Sequence, residues 1–375
     1  MTRIIEFLIA LGIVAGLFVL IGVLLPGERH ITESIETNRK MTIVYDTVNS
    51  LRRFKDWNPL VLRDPAVGLT FSGPDAGKGA RLAFDSKNGL GQGSWEITES
   101  EENRRVAIAI DDQTRGHDKV TTFTLQPTGK NDRNVKITQD YTVKYGFDLF
   151  GRYAGLYVSR HIGDDLKLGL SRMANMLASV PNVDYRAAEA PLTDLKVVDV
   201  AAEDLLVVNA GNIDRSNETI RKSIQDNQEW IKRAMDANGL EAAGPVRIVT
   251  TDFGAEKYAF DVAQPVRKKS AAADDKDKKD ADKADAAPAV VANGELKVKI
   301  PEGNPVTYHH VDAHRSAFAS YTGHMAGLDL ARNALRAWAT THGNEVIDRP
   351  YESWKGGVDN AFTTDGSYDV YWSVK

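Results

Sequence analysis

Glu352 is the residue whose type and neighbours best suit binding chemistry, because it lies among aromatic residues in the segment Pro350-Tyr-Glu-Ser-Trp354. A carboxylate held beside Tyr351 and Trp354 would lose part of its hydration, which raises its pKa unless a positive partner arrives. An organic cation is such a partner, and each aromatic face adds an attraction of about 0.5–2 kcal/mol. These residues therefore suit a site for an organic cation. The alternative is a glutamate at a strand edge, with both aromatics in ordinary core or surface positions.

Further aromatic residues could form the walls of binding sites. Tyr321 and Trp338, both assigned to one later helix, are candidate walls for the Glu352 site. In the first half of the chain, the candidates for lining a cavity are Trp57, Phe71, Phe84, Trp95 and Phe123. A large apolar pocket with few polar groups would suit a lipid or a polycyclic ligand. Most aromatic residues in such a domain are packed core, so that interpretation stays open beside the functional one.

The chain lacks the motifs of several enzyme and metal-binding classes. It has no cysteine, which excludes thiol catalysis, cysteine-ligated zinc, iron–sulfur clusters and disulfides. The run 73–79 has three residues between its first two glycines, where a phosphate-binding loop needs four, and a glycine follows Lys78 instead of Ser or Thr. His309 and His310 are predicted to point to opposite faces of a strand, which does not suit a shared metal. We predict neither a metal nor a cofactor.

Length and composition describe a mostly globular chain. Its 375 residues correspond to about two to three domains, and 42% apolar with 26% charged residues is close to the globular average. Lys and Arg total 47 against 52 Asp and Glu, a formal charge of −5. This near-balance argues against a nucleic-acid partner bound through a basic surface.

The first residues depart from this globular pattern. From Phe7 to Leu25 every residue is apolar or glycine, nineteen in a row, and about 20 such residues cross the hydrocarbon core of a bilayer. A cleaved signal peptide has a shorter apolar stretch, of about 7–15 residues, and a small-x-small cleavage site. We therefore expect residues 4–25 to form an uncleaved transmembrane helix that holds the protein in the bilayer. A cleaved leader is the alternative.

Such an anchor predicts a single-pass protein of the cell membrane. Lys and Arg flank the apolar run almost evenly, so the positive-inside rule gives little orientation. The short positive N-terminal tail slightly favours soluble domains on the periplasmic or extracytoplasmic side. Gly12 and Gly16 form a Gly-x-x-x-Gly pair, through which two such helices could form a homodimer.

Two blocks follow the anchor, at residues 30–180 and 193–375. The linker between them, 181–192, lacks apolar periodicity and is bracketed by two prolines. Inside the second block, residues 267–293 form a low-complexity insert, with seven Lys or Arg and six Asp between 267 and 285. This insert offers too little apolar surface to offset its ordering entropy, so we expect it to be disordered. It could be a solvated spacer or a charged interaction arm.

The first block has the pattern of an α+β domain. Alternation at 31–35 predicts a strand, and apolar residues at 44, 48, 51 and 54 predict a short helix. The last element is a long amphipathic helix at 159–179, with apolar residues at 162, 166, 170, 173 and 177. Strand-like runs lie between these elements, at 81–85, 93–98, 105–110, 120–125 and 135–144. These elements predict a curved antiparallel sheet with the long helix packed across it, and such an arrangement often leaves a cavity.

Residues 30–180 resemble the polyketide-cyclase/START-like (SRPBCC) superfamily. The matching segments are Val48-Asn-Ser-Leu-Arg-Arg-Phe-Lys-Asp-Trp-Asn-Pro-Leu60, Phe71-Ser-Gly-Pro-Asp-Ala-Gly-Lys-Gly79 and Gly91-Gln-Gly-Ser-Trp-Glu-Ile97. The resemblance implies a helix-grip fold around a deep hydrophobic ligand cavity. It implies no shared catalytic residues, because most members of the superfamily only bind.

The second block contains a duplicated β-α-β-β pattern on either side of the insert. Its helices are predicted at 217–237 and 321–341, each followed by a glycine stop. Strands are predicted at 195–200, 205–209, 246–251, 257–262, 296–300, 306–311 and 368–374.

This second block resembles the gyrase-inhibitor-like (GyrI-like) small-molecule-binding domain, also found as the effector-binding domain of bacterial transcription activators. The matching segments are Gly244-Pro-Val-Arg-Ile-Val249, Ala319-Ser-Tyr-Thr-Gly-His324 and Pro350-Tyr-Glu-Ser-Trp354. The resemblance implies that Glu352 faces a cleft between the two repeats and meets cationic, aromatic ligands. No helix-turn-helix segment is attached, so direct control of transcription is not expected.

Three functions remain open on the sequence. The first is a membrane-anchored protein that binds or senses small hydrophobic molecules, which the anchor would hold where apolar solutes concentrate. The second is a polyketide cyclase-like or hydrolase-like enzyme that uses Glu352 as acid or base. The third is a membrane adaptor that contacts another protein through the charged insert.

Overall fold

The computed structural model describes residues 2–187, 192–269 and 295–375. The chain divides into two compact units: the first ends at Asp184 and also includes Thr341–Gly343, and the second is Tyr185–Thr340 with Asn344–Lys375. The division falls inside the segment predicted as a linker, of which residues 188–191 lie outside the described residues. Residues 270–293 of the predicted insert also lie outside them.

The first unit begins with a long apolar helix, α1 (Thr2–Leu24). Its candidate spanning stretch, Arg3–Leu24, has 22 residues, which at 1.5 Å per residue extend over about 33 Å, slightly more than a typical hydrocarbon core of about 30 Å. The helix is therefore long and apolar enough to cross a membrane.

An antiparallel sheet and several helices follow α1. The elements are β1 (Glu28–Thr37), α2 (Met41–Val48), α3 (Phe54–Trp57), α4 (Leu60–Arg63), β2 (Gly68–Ser72), β3 (Arg81–Ser86), β4 (Gly91–Glu101), β5 (Arg105–Asp112), β6 (His117–Thr128), β7 (Asn134–Lys144), α5 (Leu149–Ala154) and α6 (Val158–Ala178). Over the described residues, seven strands pair in the order β1-β7-β6-β5-β4-β3-β2.

Helix α6 closes the sheet because it carries one apolar face. Leu170, Met173 and Leu177 recur at helical spacing and are buried. The inward side chains of β7, among them Ile137 and Val143, are also buried, as the two-residue period of a strand requires. Three elements of this unit were not predicted, α4, β2 and α5. Strand β2 is short and mostly exposed at the edge of the sheet, and its alternation is limited to Leu69 and Phe71.

The second unit is built on another antiparallel sheet. Its elements are β8 (Leu192–Val200), β9 (Glu203–Asp214), α7 (Asn217–Ala237), β10 (Leu240–Ala242), β11 (Arg247–Phe253), β12 (Lys257–Lys268), β13 (Thr307–Val311), β14 (His314–Thr322), α8 (Leu328–Thr341), β15 (Tyr351–Trp354), α9 (Gly357–Asn360) and β16 (Ser367–Val374). The strands are ordered β13-β9-β12-β11-β15-β16-β14-β8, and β10 pairs with β12.

The strand order of the second unit is nearly symmetric about its centre. Strand, strand, helix, strand, strand occurs first as β8-β9-α7-β11-β12 and again as β13-β14-α8-β15-β16. The outermost strand of each run pairs with the other run, β13 with β9 and β8 with β14. Ile220 and Ile224 of α7 and Leu328 and Leu335 of α8 belong to one core with the sheet.

In the second unit β10, β14, β15 and α9 were not predicted, and three further predictions are wrong. The helix expected from residue 321 begins at Leu328, and Tyr321 belongs to β14, because the chain turns at Gly323 with a φ of 150° that no helix contains. Residues 296–300, expected as a strand, pair with no strand of the sheet, although Leu296 is buried. Strand β12 continues to Lys268, two residues into the expected insert, because it pairs there with β10.

Candidate ligand cavity

The first unit holds a cavity of about 170 Å³ between α6, the concave face of the sheet and the α3–α4 segment. Its apolar wall includes Trp57, Phe84, Trp95, Ile110, Ile162 and Leu166. Strand and helix periodicity explain this lining. Ile162, Leu166 and Gly169 follow one face of α6 at helical spacing, and a Cβ on Gly169 would lie 3.3 Å from the Pro59 ring. A glycine therefore lets α6 approach the α3–α4 segment closely.

Three of the five aromatic residues expected to line this cavity do so, namely Trp57, Phe84 and Trp95. Their positions are fixed by aromatic packing, since Phe54 lies edge-on to both Trp57, at 5.6 Å, and Trp95, at 4.9 Å between ring centroids. Whether any of them contacts a ligand stays a prediction.

The other two aromatic candidates lie elsewhere. Phe123 is fully buried behind the wall, edge-on to Trp57 at 5.8 Å. Phe71 is on the edge strand β2, 37% exposed, with the Arg52 guanidinium 5.0 Å from its ring centre. Phe123 therefore supports a wall residue, and Phe71 is away from the cavity.

Polar side chains that the sequence analysis did not single out also line the cavity. Gln139 donates from Nε2 to the Thr121 hydroxyl at 3.0 Å, and both residues are almost completely buried. Among the described residues, neither the Oε1 of Gln139 nor the indole Nε1 of Trp57 has a hydrogen-bond partner. A buried polar atom left unpaired costs about 1–3 kcal/mol, so a ligand or a water molecule that pairs with these atoms would be favoured.

The charged groups at the cavity wall are already paired. Lys119 is 3% exposed, and its Nζ donates to the Asp112 carboxylate, to the Thr114 carbonyl at 2.8 Å and to the Thr114 hydroxyl at 2.7 Å. Burial alone would raise the pKa of Asp112, but the hydrogen bonds from Lys119 and Thr114 outweigh it and lower that pKa. Burial, with the nearby Asp112 charge, raises the pKa of Tyr141, which therefore keeps its proton.

An ion pair lies at the edge of the cavity. Arg63 of α4 donates from Nη2 to both carboxylate oxygens of Asp165 on α6, at 2.6 and 2.5 Å. Both residues line the cavity and are partly exposed. The pair ties the short helix α4 to the closing helix, and a surface pair of this kind contributes only about 0–1 kcal/mol. It can therefore open at low cost.

The acidic side chains of the lining are paired. Asp112 is held ionised by Lys119, and the Asp165 carboxylate is occupied by Arg63. The lining residues contain no serine, histidine or cysteine, and the hydroxyl of Thr114 donates to Asp112 at 2.5 Å.

Glu352, the leading candidate of the sequence analysis, lies in the core of the second unit. Its carboxylate is 0% exposed and accepts two hydrogen bonds from Arg332 of α8, at 2.6 Å from Nε and 3.1 Å from Nη2. Arg332 Nη2 also lies 3.3 Å from the hydroxyl of Tyr258. The position expected for a ligand cation beside Glu352 is thus taken by a guanidinium of the same chain. Contact of Glu352 with a ligand stays a prediction.

The aromatic residues around Glu352 do not form one wall. Tyr351 points to the opposite face of β15, where it stacks on Tyr371 at 4.9 Å between centroids, because adjacent strand residues alternate. Trp354 shares the face of Glu352 and packs edge-on against Tyr368 at 5.6 Å. Tyr321 stacks on the same Tyr368 ring, also at 5.6 Å. Trp338 of α8 is partly buried against the core.

Histidines and acidic residues do not form a metal centre in the part of the chain that the structure describes, where no group of three or more possible ligands converges. His310 is hydrogen-bonded to Asp204 at 2.8 Å, and His309 is 3.0 Å from the Thr307 hydroxyl.

Comparisons with known proteins agree with the fold of the first unit. Residues 28–178 match the family described as polyketide cyclase/dehydrase and lipid transport. No curated protein sequence matches the chain.

Similar solved structures include a solution structure from Thermobifida fusca, with 16% identity over 40% of this chain and 93% of that chain, at a TM-score of 0.32. A truncated norcoclaurine synthase from Thalictrum flavum has 14% identity over 39% of this chain and 92% of that chain, at a TM-score of 0.30. The EcmrR C-terminal domain has 14% identity over 48% of this chain and 97% of that chain, at a TM-score of 0.34. The family match over residues 28–178, by itself, agrees with a polyketide cyclase-like ligand-binding fold of the SRPBCC type in the first unit.

Proposed function

We propose that this protein is a membrane-anchored binding protein that takes up a small, mostly apolar molecule in the cavity of its first unit. The observation that carries the proposal is the cavity itself, enclosed by three aromatic rings and the aliphatic face of α6. Burial of an apolar ligand against such walls contributes about 25 cal/mol per Å² removed from water.

The volume of the cavity limits the ligand. An engineered cavity of about 150 Å³ holds benzene, and pockets for drug-sized ligands are about 300–1,000 Å³. At about 170 Å³, the cavity suits a compound of one or two rings better than a lipid with two acyl chains. A single acceptor on that compound would pair with the Nε1 of Trp57, and a donor would pair with the Oε1 of Gln139, the two buried atoms of the described cavity lining that have no partner.

Binding is favoured over the enzymatic alternative by the state of the acidic residues. Glu352 is enclosed and paired with Arg332, and Asp112 is paired with Lys119. A general acid or base needs a proton to exchange with substrate, and Glu352, which is 0% exposed, has no open position for one. Lys119 and Thr114 donate to Oδ1 of Asp112 and hold it ionised, which disfavours it as an acid. The adaptor alternative rests on the insert 267–293, which lies almost entirely outside the described residues.

The second unit is proposed to be a duplicated GyrI-like binding domain. Support comes from the strand-strand-helix-strand-strand order that occurs twice and from the symmetric order of the sheet. The anchor through α1, with the two units on the periplasmic or extracytoplasmic side, is likewise part of the proposal and is supported by the length and apolarity of that helix.

The proposal can be tested by photolabelling the full chain, reconstituted in lipid nanodiscs, with trifluoromethyl-phenyl-diazirine, an apolar label of one ring. We expect label in peptides that contain Trp57, Trp95 and Ile162, as well as in α1, which faces lipid and serves as the internal reference. Replacing Ile162 by Trp fills the cavity, because this side chain lines it, and should remove the first set of labels while those in α1 persist.

The matched control is Leu168→Trp, which also introduces a tryptophan into α6 but on its exposed face, where Leu168 is 44% exposed. This variant should keep the labelling of the wild type. The proposal is wrong if the wild type is labelled only in α1, or if Ile162→Trp, folded as judged by its circular dichroism, is labelled as strongly as Leu168→Trp.

A further inference from the structure

The segment 147–157, which contains α5, exposes an unusual number of large apolar side chains. Phe147 is 95% exposed, Phe150 64%, Tyr157 63% and Leu156 49%. Outside α1, the other exposed large hydrophobic residues of the first unit are isolated in sequence. Four such side chains within eleven residues are costly in water and usually mark a contact surface.

The same segment packs directly against the last two turns of α1. Tyr153 stacks on Phe18 at 4.5 Å between centroids, and its hydroxyl donates to the Phe18 carbonyl at 2.8 Å. Phe150 lies 5.2 Å from the same ring. At Gly22 the approach is close, since a Cβ there would meet Leu149 and Tyr153 at 3.3 Å. The segment is therefore held beside α1 by contacts along one face of α5.

Arg152 fixes the end of α1 at this point. Its Nη1 lies 3.3, 2.8 and 3.1 Å from the carbonyl oxygens of Gly22, Val23 and Leu25. The last carbonyls of a helix lack partners within the helix, and a cation near them is favoured by the helix dipole. In a membrane helix such groups must be satisfied where water is scarce. Arg152 thus marks the level at which α1 leaves the hydrocarbon.

The depth of the segment follows from the geometry of α1. Phe18 precedes Leu24 by six residues, which places its ring contacts about 9 Å along the axis from the end of the helix. Helices that lie in the membrane interface bury their apolar face by about 5–10 Å. Phe150 and Tyr153, in contact with Phe18, lie at the matching level. Aromatic residues are enriched at this level of a bilayer.

We propose that residues 147–157 form an interfacial segment that lies in the headgroup and upper acyl layer of the bilayer spanned by α1. The exposed rings of Phe147 and Phe150 enter lipid, and Arg115, which pairs with Asp148 at 3.3 Å and lies 5.7 Å from the Phe150 ring, faces the headgroups. Thr114, the neighbour of Arg115, lines the cavity. The interfacial segment therefore brings one edge of the cavity to the membrane surface.

The test uses single cysteine variants of the full chain, which has no cysteine of its own. Phe147→Cys and Phe150→Cys would each be labelled with an environment-sensitive nitrobenzoxadiazole dye and reconstituted in phosphatidylcholine vesicles. The vesicles would carry a spin-label quencher either near the headgroup or near the bilayer centre. We expect a blue-shifted emission at both positions, and stronger loss of fluorescence with the shallow quencher than with the deep one.

Dyes at two reference positions distinguish insertion of α1 from insertion of the interfacial segment. Leu11→Cys, near the middle of α1, should be quenched most by the deep quencher and reports whether the anchor itself is inserted. Lys130→Cys lies beyond the far end of β6, a strand of 12 residues that extends on the order of 40 Å, and should be quenched by neither. The inference is overturned if α1 is inserted while the dyes at 147 and 150 behave like the one at 130. It is equally overturned if those dyes are blue-shifted but unquenched, which would indicate a protein partner.

Discussion

At the scale of single residues, the Arg332–Glu352 pair is the most constrained feature of the second unit. Arg332 is 3% exposed and Glu352 is fully buried. Desolvation of two charges is repaid only when geometry and hydrogen bonds are good, and here two hydrogen bonds join the groups. Burial lowers the pKa of Arg332, but the Glu352 charge outweighs it and raises that pKa above its usual value. The Arg332 guanidinium therefore stays charged in the core.

Removal of one charge from this pair should destabilise the second unit strongly. Glu352→Gln leaves the Arg332 guanidinium buried without a counter-charge, and loss of one partner of a buried pair costs about 3–5 kcal/mol. The measurement is the denaturant dependence of amide hydrogen exchange in peptides of α8. Glu345→Gln is the control, because Glu345 and its partner Lys375 are more than 60% exposed and such pairs contribute about 0–1 kcal/mol. Equal losses in the two variants would contradict the structural role of the pair.

Neither Arg332 nor Gln139 was predicted as a site residue, although the pattern around each of them sets it apart. Arg332 occupies a position of the apolar stripe of α8, four residues after Leu328 and three before Leu335, so a charge on that stripe points to a buried partner. Gln139 lies between Ile137 and Tyr141 on the inward face of β7, where a polar residue among apolar ones is a signal. No comparable local pattern indicates that Glu352 and Arg332, twenty residues apart, are partners, because that contact depends on tertiary packing.

At the scale of elements, apolar periodicity predicted the long helices α6 and α7 well but missed the start of α8, the inner strand β14 and most short or edge elements. The predicted bounds 217–237 coincide with α7, since Ser216 caps its start by accepting from the Thr219 amide and a glycine follows its end. The pattern at 296–300 predicted a strand because Leu296, Val298 and Ile300 alternate. In the structure these side chains pack against the core without a neighbouring strand, because alternation reports which side chains are buried and not whether the backbone is paired.

The end of α1 offers a prediction about a single cap. Arg152→Met keeps the length of the side chain but removes the donors to the carbonyls of Gly22, Val23 and Leu25. A hydrogen bond to a charged group contributes about 1.5–3 kcal/mol, so amide exchange in the last turn of α1 should become at least about tenfold faster in the reconstituted protein. Arg160→Met is a control at an exposed arginine of α6. Unchanged exchange at 22–25 in Arg152→Met would show that the cap contributes nothing.

At the scale of the whole molecule, the two units have cores that differ in how completely they are packed. The core of the first unit stops short of filling the space under α6 and leaves the cavity, whereas that of the second unit is packed through Trp354, Tyr258, Tyr368 and Phe260, all nearly or fully buried. A cavity costs packing energy in proportion to its volume. A cavity lined by aromatic side chains is therefore expected to hold a ligand, and this supports binding as the proposed function of the first unit.

Separate cores predict separate responses to core mutations. Phe123 belongs to the first unit and Phe260 to the second, and both are 0% exposed, so Phe123→Ala and Phe260→Ala should each cost about 3–5 kcal/mol. Because a domain with its own core unfolds as its own cooperative unit, each variant should speed amide exchange throughout its own unit and leave the other within experimental error. Hydrogen-exchange mass spectrometry of the full chain reads both units in one sample, and each variant serves as the control of the other. If either substitution accelerated exchange equally in both units, the two units would unfold as one cooperative body, which would contradict the prediction.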